Sequence, residues 1–112
     1  MVTSSKLEAT LHLLGLSEIY RGYPQTLLAV ELALEDDARL HNVVKEIYWP
    51  VAQVCRCSRS CVERNIRTLS HTAWRENRRM LSIMAGYPLP ASPRASEFIA
   101  ILTAYCLREE SP

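Results

Sequence analysis

A chain of 112 residues with 48% hydrophobic and 22% charged side chains has enough apolar material for one core and too little for two, so residues 1–112 are expected to form a single domain. Its apolar runs are broken by charges well short of the ~20 residues a membrane span needs, and Met1-Val2-Thr3-Ser4-Ser5-Lys6 lacks the apolar stretch of a secretory signal; a cytoplasmic location with no membrane partner is expected. Net charge is only +1, but residues 1–55 carry −3, residues 56–79 carry +5 from seven arginines against Glu63 and Glu76, and residues 80–112 carry −1.

The predicted elements are all helical. A first helix over about 5–14 places Leu7, Leu11 and Leu14 on one face, with Gly15 as its stop. Arg21-Gly22-Tyr23-Pro24 reads as a flexible loop leading into a helix over 24–36, with proline in its first turn. That helix buries Leu27 or Leu28, Leu32 and Leu34, and ends in Glu35-Asp36-Asp37. Acid at that end opposes the helix dipole, so the cluster is either frayed or answered by arginines elsewhere.

Asn42 is a candidate cap for a third helix bearing Val44, Ile47, Val51 and Val54. Pro50 interrupts it, which leaves a helix over 50–55 with a helical lead-in from 43. Ser58 or Ser60 can cap the next helix, and Ser58 is preferred because it leaves Ser60 on the exposed face; Ser60-x-x-Glu63 also fits a capping box. From about 58 to 74, Val62, Ile66, Leu69 and Ala73 form an apolar stripe, while Ser60, Glu63, Arg64 and Arg67 lie on the other side. A short helix over 78–85 follows, stopped by Gly86. The proline-rich loop 88–93 leads to a last helix from Ser96, a capping candidate, to about Arg108, with Phe98, Ile99, Leu102, Tyr105 and Cys106 on its apolar side.

Two helices joined by a short turn, the second arginine-rich, suggest a helix-turn-helix over about 43–74. A basic segment centred on that second helix is the charge pattern that meets phosphates, and the exclusive use of arginine favours planar, bidentate contacts. Arg64 is suited to guanine O6 and N7, a contact worth ~1–3 kcal/mol of discrimination. Glu63 either accepts from a cytosine amine or orients Arg64. Arg67, with Arg56, Arg59 and Arg75 as looser candidates, would hold phosphates, and Ser58, Ser60 and Cys61 complete the surface.

Cys55-x-Cys57-x3-Cys61 with His71 downstream raises a zinc or redox reading. The spacing is wrong for structural zinc, and Cys55 and Cys57 suit small buried positions. Cys61, near a helix start among arginines, is a candidate for oxidative tuning. His12, His41 and His71 show no triad or metal spacing; Trp49 and Trp74 are assigned to the core, with exposure of Trp49 beside Pro50 as the alternative. No phosphate-binding glycine loop, paired acids or activated serine is present. No enzyme, metal or cofactor is expected.

Arg21-Gly22-Tyr23, Ile47-Tyr48 before Pro50, Val62-Glu63-Arg64 followed by Ile66-Arg67, Ala73-Trp74, Gly86-Tyr87 and Ser96-Glu97-Phe98-Ile99-Ala100 occur in register over about 14–109. In these pieces the chain resembles the C-terminal DNA-binding domain family of the sporulation response regulator stage zero sporulation protein A. The resemblance implies an all-α, six-helix fold whose third and fourth helices form the helix-turn-helix. It implies sequence-specific binding of double-stranded DNA, self-association on tandem sites, and contact with the RNA polymerase sigma subunit through the region matching 75–85. Cys61 stands where the family usually has arginine, and 75–85 is one residue shorter than the family pattern. With no receiver domain, a chain of this length is not expected to be switched by its own phosphoaspartate. The alternative is a protein-interaction module of the same fold with weak DNA binding, acting on a full-length relative or on the polymerase.

Overall fold

The computed structural model describes residues 4–110, and every regular element among them is helical: α1 (Ser4–Leu13), α2 (Gly22–Glu35), α3 (Trp49–Cys55), α4 (Arg59–Ala85) and α5 (Ala95–Glu110). A 3-10 turn (Asp37–Asn42) and one π turn (Val44–Tyr48) join α2 to α3. Asn77, at φ −149° and ψ 54°, breaks α4 into rods over 59–76 and 78–85, so the described residues form six helices. None is long and apolar enough to cross a membrane.

Leu7, Leu11 and Leu14 are buried as their spacing predicts, and Gly15 stops α1 in the left-handed region at φ 80°. Beyond it Leu16 turns inward as well. α2 starts earlier than expected, at Gly22. There α2 meets α4: a Cβ on Gly22 would lie 2.4 Å from the Asn65 carbonyl oxygen, so only glycine lets the two backbones come this close. The buried face of α2 is Tyr23, Thr26, Ala29, Val30 and Ala33, while Leu27, Leu28, Leu32 and Leu34 flank it, half-buried. Small side chains on the inner face bring the neighbouring helices close, which moves the leucines to the sides. Arg39 answers the acidic end of α2, donating to the Leu32 carbonyl at 2.7 Å and to Glu35 at 3.3 Å.

Asn42 does not cap a helix; it ends the 3-10 turn, whose cap is Asp36, accepting from the Ala38 amide at 3.1 Å. The expected apolar stripe is also rotated. Ile47 and Val51 are buried, but Val44 and Val54 are 47% and 68% exposed, and Tyr48 and Ala52 take their places inside. The Trp49 amide bonds back five residues to the Val44 carbonyl, and that extra residue in one turn shifts the face. Pro50 then falls in the first turn of α3, where no amide hydrogen is needed.

α5 begins one residue before Ser96, which is not its cap. Glu97 instead reaches back, accepting from the Arg94 amide at 3.1 Å and from Arg94 Nε at 3.0 Å. Those bonds, the backbone one foremost, hold the Glu97 carboxyl below the usual carboxylate range. Phe98, Ile99, Leu102 and Cys106 are buried, and Arg108 donates to the Met84 carbonyl at 2.7 Å, tying the end of α5 to the second rod of α4.

Candidate nucleic-acid interface

Residues 56–58 join α3 to α4. Arg56 takes the left-handed conformation (φ 55°, ψ 50°) that ends α3, a position where glycine is usual. Ser58 is extended and caps α4, its hydroxyl accepting from the Cys61 amide at 3.1 Å, as the sequence predicts.

The first rod of α4 has two opposed faces. Val62, Ile66, Leu69 and Ala73 are buried, and Ser70 donates to the Pro93 carbonyl at 2.8 Å. Opposite them, Ser60, Arg64, Arg67, His71 and Arg75 are exposed at spacings of four, three, four and four. At 1.5 Å per residue that line runs for about 22 Å. His71 belongs to it too, a placement that its lack of triad or metal spacing does not reveal but its seven-residue separation from Arg64 does. Beside the line, Arg67, Thr68, His71, Ser92, Pro93 and Arg94 surround an open cleft of about 390 Å³, which adds Arg94 to the basic surface.

Individual side chains differ in their freedom. Arg67 donates to both oxygens of half-buried Glu63, at 2.8 and 3.1 Å, so Glu63 is tied to Arg67 and does not orient Arg64. Arg64 has only a long contact to the Cys61 sulfur at 3.9 Å. The Arg59 guanidinium lies 5.2 Å from the Trp49 ring centroid, and Trp49 is 49% exposed, so this tryptophan joins the surface. Arg75 pairs with Glu76 at 3.1 Å, and the Arg78 guanidinium sits 4.0 Å from the half-buried Trp74 ring.

Below the surface, Asn65 Nδ2 donates to Gln25 Oε1 at 3.2 Å and to Cys61 Sγ at 3.5 Å, while Gln25 Nε2 reaches Cys57 Sγ at 3.8 Å. Burial pushes the Cys55 and Cys57 thiols up, Cys57 further raised by Cys61. Tyr48, buried beneath α4, is pushed up to about 12, chiefly by burial and also by the Glu63 carboxylate. Among the described residues, no group of three His, Cys, Asp or Glu side chains is placed to hold a metal ion.

An all-α body carrying one arginine-faced helix has the build of a DNA-binding regulator. The chain belongs to the family described as "Sporulation initiation factor Spo0A C terminal", which matches residues 7–106 of the 112. That family is a DNA-binding regulatory one and not an enzyme family.

Proposed function

We propose that this chain is a single, cytoplasmic, sequence-specific DNA-binding domain of a transcription regulator, without catalytic activity, in which residues 43–74 act as a helix-turn-helix and the first rod of α4 enters the major groove. The observation that carries this reading is the exposed line Ser60, Arg64, Arg67, His71 and Arg75, set opposite the buried stripe of the same helix. Arg64, with the least committed guanidinium on that line, reads a guanine. Ser60 and Cys61 face the groove edge beside it. Glu63 accepts from a cytosine amine if Arg67 swings to a phosphate on binding. Arg56, Ser58 and Arg59 at the turn, and Arg67 and Arg75 along the rod, hold phosphates and fix the register. His71 and Arg94 extend that contact into the adjoining cleft.

Selection from a randomised duplex pool at several salt concentrations tests this directly. Enrichment of one sequence, with affinity falling steeply as salt rises, is the expected result. Binding without an enriched sequence, and no loss on Arg64→Ala, would leave the interaction-module reading in its place.

A second surface supports protein contact. Ile83 and Tyr87 are 56% and 53% exposed at the end of the second α4 rod, next to a shallow cleft of about 210 Å³ that Tyr87 shares with Ala100, Ile101 and Ala104 of α5. We assign this end to the sigma subunit of RNA polymerase or to a neighbouring copy on a tandem site.

A further inference from the structure

Three of the four cysteines lie where α3 passes into α4, Cys61 in the first turn of α4, and two of them touch a bonded pair of side chains from α2 and α4. The two thiols are near enough for Cys61 to raise the Cys57 thiol, after the larger effect of burial. Gln25 contacts the Cys57 sulfur at 3.8 Å, Asn65 contacts the Cys61 sulfur at 3.5 Å, and Gln25 and Asn65 bond each other at 3.2 Å. Nothing in the DNA-reading role needs two adjacent thiols under the helix cap. Cys55 lies outside this cluster, and Cys106 is buried in α5.

We propose that Cys57 and Cys61 are a redox modification site: peroxide converts them to an intramolecular disulfide that weakens DNA binding. Cys61 is partly exposed, within reach of a small oxidant, and its sulfur receives donors from Arg64 at 3.9 Å and Asn65 at 3.5 Å. Its thiol attacks hydrogen peroxide, the O–O bond breaks, and a sulfenic acid and one water result. The Cys57 thiol then displaces the sulfenic hydroxyl as a second water. Two thiols lose two electrons and two protons to one peroxide, giving one disulfide and two waters. Both sulfurs rest against the same bonded Gln25–Asn65 pair, and closure brings them to about 2.05 Å from each other. That closure crosses the Ser58 cap and removes the sulfur on which Arg64 rests. The consequence for DNA rests on the function proposed above; the formation of the bond does not.

The reduced full-length chain is treated with hydrogen peroxide, alkylated, and read by peptide mass spectrometry. The expected result is loss of alkylation at Cys57 and Cys61 together, a peptide mass lower by two hydrogens, and recovery with dithiothreitol, while Cys55 and Cys106 stay alkylated. Cys55→Ser keeps the bond, and Cys57→Ser stops oxidised Cys61 at the sulfenic stage. Oxidation of Cys61 without a bond in the unsubstituted chain, or a bond through Cys55, overturns the site. In parallel, affinity for the selected duplex is expected to fall roughly tenfold on oxidation, within what one guanine contact contributes, whereas the ratio of oxidised to reduced affinity stays near one in Cys57→Ser/Cys61→Ser, whatever the affinity of that variant when reduced. Disulfide formation with unaltered affinity overturns the control of binding, whereas a reduced chain that binds no DNA speaks against the function itself.

Discussion

Arg64 and Arg67 stand three residues apart on one face, yet substitution separates them. Arg64→Ala should relax preference at one base pair by ~1–3 kcal/mol, visible as equal binding of duplexes that differ only there. Arg67→Ala should weaken all duplexes alike and reduce the log–log salt slope by about one. Its loss from the pair with Glu63, whose Arg67 side is solvent-exposed, should cost folding stability less than ~0.5 kcal/mol in chemical denaturation. Arg56 presents an opposite trade. Its left-handed backbone is costly for a residue with a Cβ, so Arg56→Gly should raise stability by roughly 0.5–1 kcal/mol while weakening DNA binding. Tyr48 sets an alkaline limit. With its folded pKa raised from 10.0 to about 12, its neutral form contributes stability in full below pH 10, and that contribution is lost as pH rises towards 12. Denaturant midpoints across that range should drop by the equivalent of roughly 2–3 kcal/mol, and Tyr48→Phe should flatten the decline.

At the scale of elements, what could be read from the chain depended on how far each decision reaches. The Ser58 cap is settled within four residues, and the Gly15 and Gly86 stops are settled by local backbone conformation, so each is legible. The face of the segment entering α3 was not, because a single π turn adds a residue and brings Tyr48 and Ala52 inside in place of Val44 and Val54. The helix boundary before 78 was visible, but its anchor was not: Asn77 donates to the Leu13 carbonyl at 2.8 Å across 64 residues. The same holds for the interface. Its arginines are evident from composition and spacing, whereas the Gln25 and Asn65 bond joins side chains 40 residues apart, and Arg94 adjoins α4 in a loop that Ser70 bonds at Pro93, 23 residues on. The contact between α2 and α4 gives a direct test. Gly22→Ala should cost about 1–3 kcal/mol in thermal or denaturant unfolding, since the added methyl meets backbone that cannot rotate away.

For the whole molecule, size constrains how copies sit on DNA. The longest axis is 33 Å, close to the roughly 34 Å rise of one duplex turn. With that axis along the duplex, tandem copies one turn apart would meet on the same side. Two sites spaced about 10 base pairs apart should bind cooperatively in a gel-shift titration, and moving one by half a turn should abolish the coupling. Arg56, Arg59, Arg67 and Arg75, at one phosphate each, give an expected log–log salt slope near −4 per copy. The Gly22 contact has a further bearing on such arrays. Its partner is the carbonyl at position 65, which every amino acid presents alike, so the angle at which α4 is mounted is indifferent to the side chains on its outer face. Substitutions on that outer face, at Cys61 for instance, can then alter the surface offered to a partner while leaving the pose of the helix unchanged.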